Sequence, residues 1–373
     1  MAEQVRGNTL YMSETNVFDA AIQRLHWLFD EFDEDVAVSS SGGKDSTVTV
    51  ELAALVNRQR GNPPLRVIFL DQECEFQGTV DYQRYLAYER EDIDFRWYQV
   101  PFMLDNATSS RDKFLHVWDP EHPEVWVREK EPAPVGVHST DIPYDRFYDL
   151  LSEVNARTAR VVLTGMRGEE APTRRMTLTA APVYKWVTWG SLGRKTVTRE
   201  QAYRFHPIYD WSYRDIWKAI DEHGWRYNEI YEHQYRWGVP TRKMRVSNYH
   251  HETSVYALSY LQEAEPETWE AATRRLEGIN TRGHLGDEQL PDTLPYMFTS
   301  WREYANHLID NLIEPDDPDG AEEFRKHERN LDKHCAHVPE DSRSRVLAKA
   351  VILNDQWGTV IENFMTANRR KAS

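Results

Sequence analysis

Eleven consecutive residues, Val36-Ala-Val-Ser-Ser-Ser-Gly-Gly-Lys-Asp-Ser46, bring together four hydroxyls, a glycine pair, a lysine and a carboxylate. Gly42 and Gly43 have no Cβ, so the backbone there can turn sharply and approach an anion closely. A helix starting just after them would add unpaired N–H groups and the positive end of its dipole. Ser39, Ser41 and Ser46 supply hydroxyl donors and Lys44 supplies charge, so the segment reads as a phosphate cradle. It is not a Walker A loop, which would need glycine at Val38 and Ser or Thr at Asp45. A carboxylate inside such a cradle repels phosphate unless a cation stands between them, so Asp45 is expected to hold Mg²⁺ on a pyrophosphate.

Further residues lie where the cradle would need them. Asp71 ends an apolar run and is expected to accept from a ribose hydroxyl or an adenine amino group. Glu73 and Glu75 follow it as metal-ligand candidates or as solvated loop carboxylates. Gly165 ends another apolar run and is expected to permit a close backbone approach. Arg167 then points toward an anionic substrate, with Arg174 and Arg175 extending the electropositive rim through planar guanidinium forks. The catalytic candidates are Lys44, Asp45, Arg167 and Arg174.

The elements that must carry these residues are legible in part. Asn16 with Asp19 signals a helix start, and Phe18, Ile22, Leu25 and Phe29 recur at helical spacing over 16–30. Strands are expected at 36–38, 66–70, 95–100 and 160–164, with a helix marked by Val48, Leu52, Leu55 and Val56 after the first. Strands alternating with helices predict an α/β fold, a doubly wound parallel sheet whose ligands bind at the carboxyl ends of the strands. Ser212 with Asp215 forms a capping-box signal. The Trp- and Pro-rich stretch at 105–135 reads as a lid-like insertion. Helical patterns at 301–313 and 346–365, with an acidic break at 314–319, give a helical C-terminal region. The expected domains are 1–250, carrying the cradle, and 251–373.

At 373 residues with a formal net charge of −16, the chain is long enough for a large core and too acidic for a whole-surface grip on nucleic acid. Between Arg157 and Arg245, however, 17 basic residues face 9 acidic ones. An acidic body with one basic stretch suits a focused anionic ligand, and contact with nucleic acid stays open through that stretch. No apolar run is long enough to span a bilayer, and the polar Met1–Thr15 segment lacks the apolar region of a secretory signal, so no membrane partner and a cytoplasmic location are expected.

The Ser-Gly-Gly-Lys-Asp-Ser run after a strand resembles the signature of the PP-loop superfamily, which includes ATP pyrophosphatases and the sulfonucleotide (PAPS) reductases. Four later runs follow in the order that family would have: Phe69 to Phe76, Thr164 to Glu170 with Arg174-Arg175, His206 to Trp217, and Tyr227-Asn-Glu-Ile-Tyr231 with Gly238 to Arg245. Over about residues 16–265 the chain looks most like the immunoglobulin-binding regulator A type of PAPS-reductase-like protein. The resemblance implies an adenine nucleotide alpha hydrolase-like fold, ATP with Mg²⁺ as ligands, a nucleoside contact near Asp71, and a ParB-like companion protein. It leaves three readings: cleavage of ATP at the α-phosphate, reduction of a sulfonucleotide, or nucleotide binding without turnover in a regulatory or DNA-associated protein.

Cys74 and Cys335 cannot form a disulfide framework or supply the four thiolates of an iron–sulfur cluster, so no cluster is expected. The reductases use a cysteine in a Glu-Cys-Gly-Leu-His motif; Lys333-His-Cys-Ala-His337 keeps only the order Cys-x-His. His327, His334, Cys335 and His337 fit no common finger spacing, and zinc is not expected.

Overall fold

The structure is a computed structural model. It describes residues 15–109, 114–139, 146–171, 174–176, 184–185, 187–196, 201–241, 244–246, 248–251, 258–276, 279, 293–315, 317–353, 355–356 and 358–369, with the backbone of 4–5 and 9–10. Parts of the insertion at 105–135 (110–113) and of the 238–245 run (242–243) therefore lie outside the described residues. The chain divides into two units, residues 1–104 with 116–247 and residues 105–115 with 248–373.

The first unit is built on a seven-stranded sheet. After α1 (Val17–Phe32) the chain runs β1 (Val36–Ser39), α2 (Lys44–Gln59), β2 (Leu65–Leu70), α3 (Gln77–Arg84), β3 (Ile93–Tyr98), β4 (Gly136–Val137), α4 (Phe147–Thr158), β5 (Val161–Leu163), β6 (Gly190–Leu192), β7 (Tyr203–Phe205), α5 (Tyr213–His223) and α6 (Ile230–Arg236). The strand order is β6-β7-β5-β1-β2-β3-β4, parallel except for the β6–β7 pair. This is the mostly parallel α/β sheet that the alternation of strands and helices predicts.

The order reverses at β1: β2 and β3 extend to one side, β5 and β7 to the other. Crevices for ligands open at the carboxyl ends of strands flanking such a reversal. The two segments that leave β1 and β5 there are Ser40–Gly43 and Thr164–Arg167.

Burial explains the strands. Val36, Val38, Val67, Phe69, Phe95, Trp97, Val161, Leu163 and Phe205 share one core with Leu25 and Phe29 of α1 and Val48 and Leu52 of α2. Each such side chain contributes about 1.5–3 kcal/mol when fully buried. The Asn16 side chain accepts from the Asp19 N–H at 2.9 Å, the cap its sequence announces. Ser212 and Asp215 complete a reciprocal capping box at the start of α5. Arg24, 1% exposed, reaches from α1 to both Asp210 oxygens at 2.8 and 2.6 Å and so fixes the segment entering that helix.

The second unit is helical: α7 (Leu258–Ala264), α8 (Pro266–Arg275), α9 (Trp301–Leu308), α10 (Pro318–His334), α11 (Glu340–Ile352) and α12 (Thr359–Arg369). Two expectations need correction. The acidic break at 314–319 contains a helix start, with Asp317 accepting from the Gly320 N–H and Pro318 in the first turn. The pattern at 346–365 is two helices, interrupted where Gly358 takes φ +73°. No helix among the described residues is long and apolar enough to cross a membrane.

Candidate phosphate site

The loop between β1 and α2 is shaped by its own serines. Gly42 takes φ +71°, a region open to glycine at little cost. Its N–H donates to the Ser40 hydroxyl at 3.3 Å, while the Ser41 N–H donates to Ser46 Oγ at 3.3 Å. Ser46 Oγ donates to the Gly43 carbonyl at 2.9 Å and lies 3.2 Å from Ser41 Oγ. Ser39 is the last residue of β1 and half-buried. Gly43 caps α2 without a side chain, and the first helical hydrogen bond, Thr47 N–H to Gly43 carbonyl, forms at 2.8 Å. The N–H groups of Gly43, Asp45 and Ser46 are left without a partner among the described residues. They converge with the dipole end of a 16-residue helix.

Gly165 explains how β5 reaches this loop. A Cβ there would lie 2.6–2.7 Å from the Asp45 carbonyl group and the Ser46 nitrogen, so the segment leaving β5 rests directly on the first turn of α2. The expected close approach exists, and it is to backbone.

The charges around the loop are arranged differently from the sequence-based expectation. Arg167 is 3% exposed; its Nε donates to Asp45 Oδ1 at 2.6 Å and its Nη1 to Glu169 at 2.9 Å and to the Trp211 carbonyl at 3.2 Å. Lys44 Nζ donates to Asp45 Oδ2 at 2.9 Å. Each oxygen of Asp45 thus carries one cation, and no group of three or more His, Cys, Asp or Glu side chains among the described residues could hold a metal ion. This donor set suits a carboxylate that orders two cations and does not fit a resident divalent ion. Arg174 is half-exposed and paired with Glu170, so it stands on the rim rather than in the cradle.

Asp71 also requires correction. It is fully buried, and its carboxylate accepts from the Glu73 N–H (2.8 Å), Trp97 Nε1 (2.6 Å), Gln99 Nε2 (3.0 Å) and Arg128 Nη2 (2.6 Å). No acceptor capacity remains for a ribose hydroxyl. Its partners show its work: Arg128 lies 5.0 Å over Trp118, and Trp118 donates its indole N–H to the Asp71 carbonyl at 3.1 Å and its backbone N–H to Glu73 at 2.6 Å. Asp71 anchors the 118–128 part of the insertion. Glu75, buried beside it, keeps its proton to about pH 8, because burial and then the Asp71 charge oppose ionisation.

Two residues that brace the loop were not singled out from the sequence. Tyr231 is buried and its hydroxyl accepts the Lys44 N–H at 3.1 Å; burial and the Asp45 charge hold its proton on. Asn228 donates to the Gly42 carbonyl at 3.1 Å and to Thr79 at 2.8 Å. Both belong to the Tyr227–Tyr231 run, whose clustered aromatic and amide residues were the only signal that could have found them.

Cys74 and Cys335 are both fully buried. His327 donates Nε2 to the Gln356 carbonyl at 2.8 Å, while His334 and His337 face outward.

Residues 35–237, more than half of the chain, match the phosphoadenosine phosphosulfate reductase domain. The chain belongs to that family. Among similar proteins, an uncharacterized Escherichia coli (strain K12) protein, YbdN, is 25% identical over 380 residues, covering 92% of this chain and 89% of its own. The adenosine 5'-phosphosulfate reductase of Bacillus cereus is 20% identical over 225 residues, 60% of this chain and 80% of that enzyme. Among solved structures, the FMN adenylyltransferase of Candida glabrata is similar at a TM-score of 0.37 and 12% identity, over 58% of this chain and 57% of that one. This PAPS reductase domain chain thus spans little more than half of that structure.

Proposed function

We propose that this PAPS reductase domain protein binds the phosphates of ATP in the Ser41–Ser46 loop and cleaves at the α-phosphate. The products are AMP and pyrophosphate, or pyrophosphate and an adenylylated acceptor. The observation that carries this reading is the set of N–H groups of Gly43, Asp45 and Ser46, without a partner among the described residues, beside Lys44 and at the point where the sheet order reverses. An oxygen of water or of the acceptor attacks the α-phosphorus, the bridging α–β bond breaks, and the electron pair leaves on pyrophosphate. Fixed N–H donors and Lys44 meet that growing charge without reorganising. Asp45, itself held by Arg167, keeps Lys44 in place. Tyr231 and Asn228 brace the loop from behind. The adenine and ribose contacts fall to residues other than Asp71.

The family also supplies a thiol-dependent sulfonucleotide reductase as a second reading. The enclosure of both cysteines favours the first, because a nucleophilic thiolate needs access to substrate. Incubation with ATP and Mg²⁺, and separately with a sulfonucleotide and a dithiol, tests the proposal. Release of AMP and pyrophosphate supports it. Sulfite release in the second tube overturns it in favour of reduction, and ATP binding without products overturns it in favour of the regulator-type relatives that the motifs resemble.

A further inference from the structure

Helix α6 holds two segments with one face. Tyr231 and Gln234, one turn apart, are both buried on the same side of the helix. Tyr231 accepts the Lys44 N–H at 3.1 Å. Gln234 takes both backbone groups of Arg245: its amide oxygen accepts the Arg245 N–H at 3.1 Å, and its Nε2 donates to the Arg245 carbonyl at 2.5 Å. The next residue, Val246, closes on the phosphate loop. A Cβ on Gly43 would lie 3.1 Å from Val246 Cγ2 and 3.5 Å from the Tyr231 hydroxyl. The backbone of Arg245 is therefore fixed beside the first turn of α2.

The cations already described at the loop are neutralised. Lys44 and Arg167 share Asp45, Arg167 also meets Glu169, and Arg174 meets Glu170, so three cations stand against three carboxylates. A polyphosphate entering the loop would bring negative charge that this set leaves unmatched. Arg245 differs. Its side chain is exposed, its Nη1 reaches only the Met244 carbonyl at 3.5 Å, and it makes no ion pair with any described residue. Its charge is nonetheless felt inside the site. Burial and then Asp45 hold the proton on the buried Tyr231 hydroxyl, while the Arg245 charge acts in the opposite sense. A guanidinium whose backbone is clamped beside an anion cradle, and whose planar fork is unused, suits a bidentate phosphate contact.

We propose that Arg245 contacts the phosphate chain of the bound nucleotide from the α6 side of the loop and supplies the positive charge that the loop's own ion pairs do not, with Gln234 as its positioning residue. A polyphosphate held by the N–H groups of Gly43, Asp45 and Ser46 draws the guanidinium away from the Met244 carbonyl and onto non-bridging oxygens. Negative charge on the pyrophosphate grows as the α–β bond breaks, so the contact strengthens toward the transition state. This role rests on the phosphate-loop reading above and adds to it the residue that matches the ligand's charge.

Pyrophosphate serves as the probe, titrated calorimetrically into the full chain at low and at high salt. Arg245→Gln should weaken it roughly tenfold to a hundredfold, the loss expected for a charge-assisted hydrogen bond, and leave the melting temperature unchanged because the side chain is exposed. Arg245→Lys should recover part of the affinity. The gap between wild type and Arg245→Gln should narrow at high salt, as a charge contact at the surface requires. Gln234→Leu should weaken binding in wild type and cost nothing further in Arg245→Gln, a coupling that a purely structural role would not produce. The Arg245 variants carry the test alone where Gln234→Leu fails to fold. Wild-type affinity in Arg245→Gln, with Gly165→Ala still weakened, overturns the role of Arg245 and leaves the loop standing. Equal losses from Gln234→Leu in both backgrounds overturn its positioning role. Pyrophosphate that does not bind wild type at all sinks the phosphate-loop reading and this proposal with it.

Discussion

Adding one methyl group at Gly165 should loosen the phosphate loop without altering any side chain that could touch a ligand. The new Cβ would lie 2.6 Å from the Asp45 carbonyl carbon, against the 3.4 Å at which ordinary contact begins, so the two backbones must separate by about 0.8 Å. Neither can yield easily, since one is the first turn of α2 and the other the end of β5. Overpacking of this kind costs about 1–3 kcal/mol. The free protein can relieve that strain by letting the first turn of α2 drift, but a bound pyrophosphate needs the N–H groups of Asp45 and Ser46 in place. The strain should then reappear as lost affinity, roughly fivefold to a hundredfold at 1.4 kcal/mol per decade. Pyrophosphate titration of Gly165→Ala measures it, with thermal melting alongside. Gly61→Ala is the control: it has a positive φ, +69°, but nothing lies within 4 Å of its Cβ. It should lower stability by about 1 kcal/mol through backbone strain alone and leave affinity unchanged. Wild-type pyrophosphate affinity in folded Gly165→Ala would refute the argument that this contact sets the loop.

Arg167→Lys keeps one charge but cannot reach Asp45, Glu169 and the Trp211 carbonyl together, so AMP release at saturating ATP should fall on the order of a hundredfold, while a surface arginine would cost almost nothing; an unchanged rate removes Arg167 from the reaction. Cys335→Ser should leave nucleotide turnover intact although the buried site will lower the melting temperature, and loss of turnover in a folded variant would revive thiol chemistry. Glu75 gives a pH signature: its pKa rises from 4.5 in the unfolded chain to about 8 in the fold, so the native state holds an extra proton in that window and stability should fall as pH rises through it. Denaturant titrations of Glu75→Gln across the same window should show a flatter profile, and an unchanged slope would mean the carboxyl is not enclosed as described.

Local signals proved readable and distant ones did not. Val36-Ala-Val38 followed by Gly42 and Gly43 specified a strand, a turn and a helix start because each step depends on neighbours in the chain. The cap at Asn16 and the capping box at Ser212 were legible for the same reason. Asp317-Pro318 carried an equally local helix-start signal, but the acidic cluster around it reads as a break. Asp71 was placed at the right strand end with the wrong partners: nothing in the sequence says that Arg128, some 57 residues on, will neutralise it. Tyr231 and Asn228 were hidden by sequence distance.

That distance has a consequence for how the protein is made. The Gly42 carbonyl waits for a side chain 186 residues downstream and the Lys44 N–H for one 187 residues downstream. At 5–20 residues per second, a ribosome takes roughly ten to forty seconds to supply them. During that interval β1 and α2 can form with their connecting turn unbraced. A nascent chain halted before Asn228 would present the glycine turn without the side chains that brace it, so the braced turn is a feature gained late in synthesis, after the sheet that frames it.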